Sequence, residues 1–368
     1  MDTDQPEIPT PVRRRLWPKL LLSVAALLFA LGAAECVFRF AVPCRVKQPR
    51  MCEFNGVRSP WVAFGTEVRY ADGIHAFSPN ITFTHWYDGP GKGNKDPGNC
   101  IAYRINKWGY RDVEHEEKKP PGTFRILLLG DSFTVGEGTR FEETYPQRLA
   151  VALASRTVAG KQLEILNFAT PGNYTGEELQ MYRTFQAMLA PDMVILQWNT
   201  NDFIVSSVTE RNLDLIGARY REVFGSADKY RWSALVRYLR YQWGLRRVSN
   251  ALIKVTQEEV QRGSGNLGQV EELRDAVTAN GQTFLLLIFP ELVRFDDYPY
   301  AGIVDAMSGF CAQKQIDTVN LLPALSQHDA SDLWVHETDH HPNHIAHQIA
   351  ATEILNYLDQ TLLDKPGK

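Results

Sequence analysis

The apolar positions after residue 122 alternate between short continuous runs and helical periodicity. The continuous runs predict buried strands at 124–129, 163–168, 193–198, 283–289 and 316–320. Apolar residues spaced three or four apart predict helices at about 144–155, 175–190, 268–280, 300–314 and 343–362. Apolar strands that alternate with helices are typical of a parallel sheet covered on both faces. The sequence therefore predicts a doubly wound α/β domain, with ligands at the carboxyl ends of its strands.

Residues 204–265 interrupt this alternation with a segment longer than an ordinary crossover. Within it Trp232, Leu239 and Trp243 fall on one helical stripe, and arginines lie mostly elsewhere. Aromatic stripes of this kind usually pack on a core, so the favoured prediction is a helix on the α/β domain. A lid over the site and a foot on an anionic membrane surface are the alternatives. RNA binding has the least support, since no recognisable module is present.

The N-terminal 42 residues have a third pattern, in which arginines at 13–15 precede a long apolar run. The run at 20–42 could span a bilayer as an anchor if Glu35 and Arg39, at i and i+4, pair at the lipid interface. A cleaved signal peptide is the alternative. The positive-inside bias predicts that residues 1–19 form a cytoplasmic tail and that the bulk of the chain is exported.

Residues 43–122 are rich in Gly, Pro, Asn and aromatic residues and have no sustained helical period. They predict a small accessory region of short strands and loops, which ends in a polar, Pro-rich linker. Export permits disulfides, and a Cys52–Cys100 pair would tie down this region. The total of five cysteines is odd, which leaves the pairing open.

Composition and charge exclude several classes of protein. Hydrophobic residues make up 44% of the chain and charged residues 22%, near the globular average and unlike disordered or fibrous proteins. The formal net charge of -4 provides no bulk electrostatic attraction for nucleic acid. We therefore expect no nucleic-acid partner.

The segment Gly-Asp-Ser-Phe at 130–133 directly follows the first predicted strand of the domain. Asp and Ser at such a position can simply cap a helix. A phosphate-binding Walker loop would need Lys followed by Ser or Thr, where this chain has Thr139 and Arg140. The third interpretation is a nucleophile, Ser132, that a tight turn exposes at the ligand edge of the sheet.

A nucleophilic serine needs a general base, a group that orients the base and donors for the oxyanion. Gly172 follows the second predicted strand and Asn201 follows the third. His341, with Asp339 two residues before it, precedes the last predicted helix. Each of these is ordinary turn or cap chemistry by itself. Together, at four element ends, they point to a single site.

The blocks GDSF, ATPGNYT, NTND and DHHPN resemble those of the SGNH, or GDSL-type, esterase and acetylesterase superfamily. The resemblance covers about residues 123–362 and implies a flavodoxin-like, three-layer α/β/α sandwich. It implies that Ser132 is the nucleophile, His341 the base and Asp339 its orienter. The oxyanion hole implied by the resemblance comprises the N–H groups of Ser132 and Gly172 and the Asn201 amide. No metal or cofactor is expected.

Two positions depart from the superfamily pattern. Asn199 stands where the third block usually begins with Gly, and one residue instead of two separates Asp339 from His341. The shorter spacing looks like that of membrane-associated members that acetylate or deacetylate exopolysaccharides. If that geometry fails, Asp332 is the reserve carboxylate. The resemblance implies hydrolysis of ester bonds, namely O-acyl or O-acetyl groups of a carbohydrate, through an acyl-serine intermediate. An O-acetyltransferase that acts on a cell-surface glycan and a non-catalytic glycan-binding member of the same fold are the alternatives.

The segment HETDH at 336–340 formally matches the zinc-hydrolase pattern His-Glu-x-x-His. That pattern binds zinc only on a helix, where both imidazoles share one face. Pro342 favours a loop that enters its helix near this position, which disfavours the zinc hypothesis. Pro342 also restricts His341 to an extended backbone, so we expect His341, and not His340, to be the base.

Overall fold

The structure is a computed structural model that describes residues 16–40, 51–54, 57–60, 67–69, 74–86, 100–200, 202, 232–236, 238–240, 243, 247, 267–336 and 339–364. These residues belong to two compact units. The smaller unit draws on residues 1–46 and 217–249, and the larger unit on residues 47–216 and 250–368.

In the smaller unit, helix α1 (Leu16–Phe40) is long and apolar enough to cross a membrane, with a mean hydropathy of 2.3 within the span Trp17–Arg39. The Glu35–Arg39 pair predicted from the i, i+4 spacing is present, with 2.9 Å between Arg39 Nη2 and Glu35 Oε1. An N-terminal helix of this kind fits either an anchor or a signal sequence.

The larger unit begins with short antiparallel strands, as the composition of residues 43–122 predicts. These strands are β1 (Met51–Phe54), β2 (Val57–Pro60), β3 (Glu67–Arg69), β4 (His75–Phe77), β5 (Thr82–Trp86) and β6 (Cys100–Arg104). One sheet has the order β2-β1-β5-β6, and β3 pairs with β4. Strand β5 separates the strands of Cys52 and Cys100, so the two lie about two strand spacings, ~9.5 Å, apart. A disulfide does not span that distance, and the suggested pairing is wrong.

A six-stranded sheet forms the centre of the larger unit. Its strands are β7 (Thr123–Leu129), β8 (Thr157–Val158), β9 (Lys161–Asn167), β10 (Met193–Trp198), β11 (Thr283–Ile288) and β12 (Thr318–Asn320). The order is β12-β11-β10-β7-β9-β8, and every pair is parallel except β8 with β9. Without β8, the parallel strands follow the flavodoxin-like order 2-1-3-4-5. The predicted doubly wound fold is confirmed.

Helices cover both faces of this sheet. They are α2 (Ser132–Val135), α3 (Tyr145–Leu153), α4 (Thr175–Leu189), α5 (Leu267–Ala279), α6 (Ala301–Gln313), α7 (Leu322–Leu325) and α8 (His344–Thr361). Alternate residues of β7 enter opposite cores: Leu127 and Leu129 pack with residues of α4, α5 and α6, whereas Ile126 and Leu128 pack with residues of α3 and α8. Burial on both faces explains why the strand reads as a continuous apolar run.

The strands and helices predicted for this domain are present, with ends within two residues of the predicted ones. The sequence did not indicate the two-stranded hairpin β13 (Trp334–His336) and β14 (Asp339–Pro342) just before α8. This hairpin positions His341.

Candidate active site

A tight turn after β7 places Ser132 at the first position of α2. Gly130 allows the turn, because a Cβ there would lie 2.3 Å from Thr134 Oγ1 and 2.6 Å from Gln197 Oε1. The Asp131 carboxylate caps α2 by accepting a 2.8 Å hydrogen bond from Phe133 N. The predicted capping role of Asp131 and the exposed-nucleophile position of Ser132 are therefore compatible.

Strand β10 holds this turn from the neighbouring position in the sheet. Gln197 Oε1 accepts hydrogen bonds from Asp131 N at 3.1 Å and from Thr134 Oγ1 at 2.8 Å. The connections from β7 and from β10 leave in opposite directions, which makes this the topological switch point of the sheet. Ser132 lies where a doubly wound fold forms its binding crevice.

The structure brings together three of the residues indicated by the sequence. His341 Nε2 lies 2.8 Å from Ser132 Oγ, and His341 Nδ1 lies 2.6 Å from Asp339 Oδ1. Asp339 Oδ1 also accepts a 3.3 Å hydrogen bond from His341 N. Ser132 and Asp339 are 8% and 3% exposed. One residue between Asp339 and His341 is therefore enough for contact, and the reserve carboxylate Asp332 lies exposed in a separate 3-10 helix.

The β13–β14 hairpin fixes the direction of His341. Its extended backbone sends the side chains of His341 and Asp339 to the same side. The His340 ring stacks instead on Trp334, with 3.8 Å between ring centroids. Asn343 completes the hairpin: its side chain donates to Trp334 O and caps α8 by accepting from Ile345 N.

The zinc-hydrolase pattern does not have the backbone that it requires. His336 lies in β13 and His340 lies in β14, which pair as antiparallel strands. The two imidazoles are therefore not one turn apart on a helix. His347, one turn into α8, is fully buried, and its Nδ1 accepts a hydrogen bond from Tyr145 N. Burial lowers the pKa of His347 to about 3, so it is a neutral packing residue.

Two residues were indicated as oxyanion donors besides Ser132. Gly172 lies in the loop between β9 and α4 with a φ of +77°, a backbone conformation that favours glycine. A Cβ there would meet no atom within 4 Å, so backbone conformation, and not space, accounts for the glycine. Asn201 lies outside the described residues. Next to it, Asp202 Oδ2 accepts a 2.8 Å hydrogen bond from Asn199 N and closes the turn after β10.

Glu137 is a buried carboxylate that the sequence did not single out. It is 3% exposed, and its Oε2 lies 3.3 Å from His341 Nε2. Gly136 and Gly138, with φ values of +72° and +78°, turn the backbone on either side of it. The position of a charged residue between two glycines, shortly after Ser132, could have indicated this contact from the sequence. The base candidate thus has carboxylates at both ring nitrogens.

Other carboxyl groups behind the site are held in a desolvated environment. Burial raises the pKa of Glu178 and of Asp202 well above the usual range, and the nearby Asp131 charge adds to both shifts. Burial also raises the pKa of Glu291, just after β11, to about 7, while the neighbouring His341 counteracts the rise. Groups with such shifts cluster at functional sites.

Two residues of the accessory region hold the backbone that follows Ser132. The Arg111 guanidinium donates to the carbonyl oxygens of Val135, Gly136 and Thr139 at 2.7–3.1 Å. Tyr103 on β6 accepts a 2.8 Å hydrogen bond from Gly138 N, and its ring lies 3.9 Å from the Arg111 guanidinium carbon. Both residues come from chain that precedes the α/β domain.

A sequence model of the GDSL-like Lipase/Acylhydrolase family matches residues 128–349, more than half of the chain. The chain belongs to this family. As a GDSL-like acylhydrolase it is a serine esterase, an enzyme of ester hydrolysis. No curated protein matches it in sequence.

Several solved structures are similar to this chain. TesA shares 14% identity over 64% of this chain and 98% of its own, with a TM-score of 0.40. A lipase/acylhydrolase from Enterococcus faecalis shares 12% identity over 67% and 99%, with a TM-score of 0.40. A two-domain esterase described as active on acetylated mannans shares 14% identity over 65% of this chain and 49% of its own, with a TM-score of 0.38.

Proposed function

We propose that Ser132, His341 and Asp339 form a catalytic triad that cleaves esters through an acyl-Ser132 intermediate. The observation that carries this proposal is the continuous hydrogen-bonded chain from Ser132 Oγ through the imidazole of His341 to the Asp339 carboxylate. A serine at the start of a helix, a base in contact with it and a buried carboxylate behind the base are the parts that acyl transfer needs.

In the first half-reaction His341 Nε2 takes the hydroxyl proton as Ser132 Oγ attacks the ester carbonyl carbon. The tetrahedral intermediate then collapses, the bond to the alcohol oxygen breaks, and His341 returns the proton to that oxygen. In the second half-reaction His341 takes a proton from water, which attacks the acyl-Ser132 carbonyl. The bond to Ser132 Oγ then breaks, His341 returns the proton to that oxygen, and the carboxylic acid leaves. Asp339 holds Nδ1 as the protonated nitrogen and stabilises the imidazolium.

The oxyanion is stabilised in this proposal by the N–H groups of Ser132 and Gly172 and by the Asn201 amide. The α2 helix begins at Ser132, so its first N–H groups lack partners within the helix. The positive φ of Gly172 turns the backbone sharply at the loop after β9. Preorganised donors of this kind are usually the largest contribution to acyl-transfer catalysis.

The proposed substrate is an O-acyl, chiefly O-acetyl, group on a carbohydrate. A cleft of about 910 Å³ lies along β5 and β6 and extends to residues 140–142, three to five positions beyond Glu137. Polar, charged and aromatic side chains line it, including Tyr103, Arg104 and Glu142. None of the residues that line this cleft belongs to the triad, so the support for a carbohydrate substrate is the proposed export and the resemblance of the sequence blocks to acetylesterases.

We propose further that the enzyme is membrane-anchored, with its catalytic part exported. In this arrangement residues 1–19 are a cytoplasmic tail, 20–42 the anchor, 43–122 the accessory region and 123–362 the catalytic domain with an insertion at about 204–265. The apolar surface of α1 and the preceding arginines support this orientation.

Activity-based labelling tests the catalytic proposal. A fluorophosphonate should attach to Ser132 in the full-length protein, and Ser132→Ala should abolish attachment while the fold is retained. Release of acetate from acetylated xylan or alginate, compared with p-nitrophenyl esters of increasing chain length, tests the substrate. Folded protein without labelling or turnover on any ester, but with saturable glycan binding, would favour a non-catalytic binding protein.

A further inference from the structure

Near the C-terminal end of α1, Glu35 has hydrogen-bond partners that come from the insertion. Glu35 Oε2 accepts hydrogen bonds from Ser233 Oγ at 2.7 Å and from Leu235 N at 3.1 Å, and Oε1 accepts one from Ala234 N at 2.8 Å. Residues 234–236 are helical, so Glu35 satisfies N–H groups at the start of a helical segment about two hundred positions away.

Two further contacts join the same parts of the smaller unit. Arg39 Nη2 donates to Trp232 O at 3.0 Å while it pairs with Glu35. The rings of Phe38 and Tyr238 lie 4.8 Å apart. The structure groups the described residues of this segment with α1. The packing of this segment on the α/β domain, which the sequence favoured, stays a prediction.

These contacts leave large apolar side chains of the segment uncovered beside the end of α1. Trp232 is 69% exposed, Leu239 55% and Trp243 54%. The guanidinium carbon of Arg247 lies 4.4 Å from the centre of the Trp243 ring. Tryptophan with apolar neighbours and arginine is the composition of side chains at a bilayer surface, where the ring sits among headgroups and the guanidinium meets phosphate.

We propose that the described segment within residues 232–247 is an interfacial foot that lies in the lipid headgroup layer and is fastened to the outer end of α1 by Glu35. This inference rests on the proposed anchoring of α1. Glu35 must lie at the surface of the bilayer, because a carboxylate on an otherwise uncovered apolar helix is tolerated at the water interface and not in the hydrocarbon. Trp232, whose carbonyl shares Arg39 with Glu35, must lie at the same depth.

Fluorescence quenching by lipid bromines tests the foot in the full-length protein. Vesicles of phosphatidylcholine and phosphatidylglycerol, brominated near the headgroup end of the acyl chains, quench only tryptophans at the bilayer. Three proteins are compared: wild type, Trp17→Phe, which lacks the α1 tryptophan, and the double variant Trp232→Phe/Trp243→Phe. Trp17→Phe should keep the quenching that comes from Trp232 and Trp243, and the double variant should lose that part.

Quenching in the double variant equal to wild type would overturn the foot and leave the anchor standing. Absence of quenching in wild type would overturn the anchor and the foot together. Ester turnover on a soluble p-nitrophenyl ester, measured in the same vesicles, separates either result from failure of the catalytic proposal.

Hydrogen exchange tests whether Glu35 attaches the foot to α1. Glu35→Ala should increase hydrogen exchange at the amides of Ala234 and Leu235 and reduce tryptophan quenching, because both amides lose their acceptor. Exposed Glu142→Ala is the matched control and should change neither. Unchanged amide protection in Glu35→Ala would overturn the fastening role.

Discussion

The side chains of Glu137 and Ser132 both contact Nε2 of His341. Glu137 Oε2 lies 3.3 Å and Ser132 Oγ lies 2.8 Å from this nitrogen. An adjacent negative charge favours a protonated imidazole. In the proposed mechanism, Glu137 stabilises the imidazolium that forms when Ser132 gives up its proton, and it competes with the leaving group for the proton on Nε2. Asp339, and at longer range Glu291, add to the field at this ring.

Glu137→Gln should move the rising limb of the kcat/KM profile to lower pH. The reason is that removal of a negative charge lets His341 lose its proton at lower pH. The pH profile on a soluble ester checks this, with exposed Glu116→Gln as the control. A limb that stays in place, or moves to higher pH, would remove Glu137 from the positioning of the base.

His341→Ala should lower kcat on the order of 10⁶-fold, as expected when a serine-based triad loses its base. His340→Ala should retain activity near that of wild type, because the His340 ring stacks on Trp334 on the other side of the strand. Turnover of a p-nitrophenyl ester by the two folded variants makes the comparison. The reverse outcome would refute the assignment of the base.

Asn201→Ala should lower turnover by ~10²–10³-fold with little change in fold, as for the loss of one oxyanion donor. The effect should fall on kcat, because the amide is proposed to bind the oxyanion and not the ground-state ester. Steady-state kinetics separate kcat from KM. A normal kcat would exclude Asn201 from the mechanism.

Arg111→Met should reduce the free energy of unfolding by at least ~3 kcal/mol, since three buried carbonyl groups lose charged donors. Thermal melts measure the loss, and Arg104→Met, an exposed arginine on β6, is the matched control. Arg111→Lys should recover only part of the loss, because an ammonium does not reproduce the guanidinium fork. Wild-type stability in Arg111→Met would show that the backbone at 135–139 keeps its conformation without the Arg111 side chain.

His115 makes stability depend on pH. Burial acts to lower its pKa, but hydrogen bonds to Asp112 and Glu164 outweigh burial and raise it to about 9 from the ordinary 6.5. The protonated form is favoured by folding, so the contribution is complete below pH 6.5 and is lost as pH rises through 9. The shift corresponds to roughly 3 kcal/mol.

Urea denaturation across pH 6 to 10 should show this loss in wild type and not in His115→Gln. Exposed His328→Gln is the control for the removal of an imidazole and should keep the wild-type slope. Equal slopes in wild type and His115→Gln would contradict the assigned ion pairs.

The central sheet could be predicted from the sequence because its strands are buried on both faces and therefore form continuous apolar runs, as in Met193–Trp198. The β13–β14 hairpin could not, because its polar, His-rich residues carry no apolar alternation. Ser132, His341 and Asp339 were found since each sits at an element end. Glu137 and Arg111 were missed, because their contacts depend on how Gly136 and Gly138 turn the backbone and on chain outside the domain.

The similarity to the GDSL-like family begins at residue 128, yet Tyr103 and Arg111 hold the backbone that follows Ser132. The structural support of Ser132 therefore includes residues that precede the segment matched by the family model. Amino-acid changes in the N-terminal strands and in the loop at 135–139 should have occurred together during divergence. Transfer of residues 123–362 alone to another scaffold would include Ser132 but not Tyr103 and Arg111, which hold the turn after it.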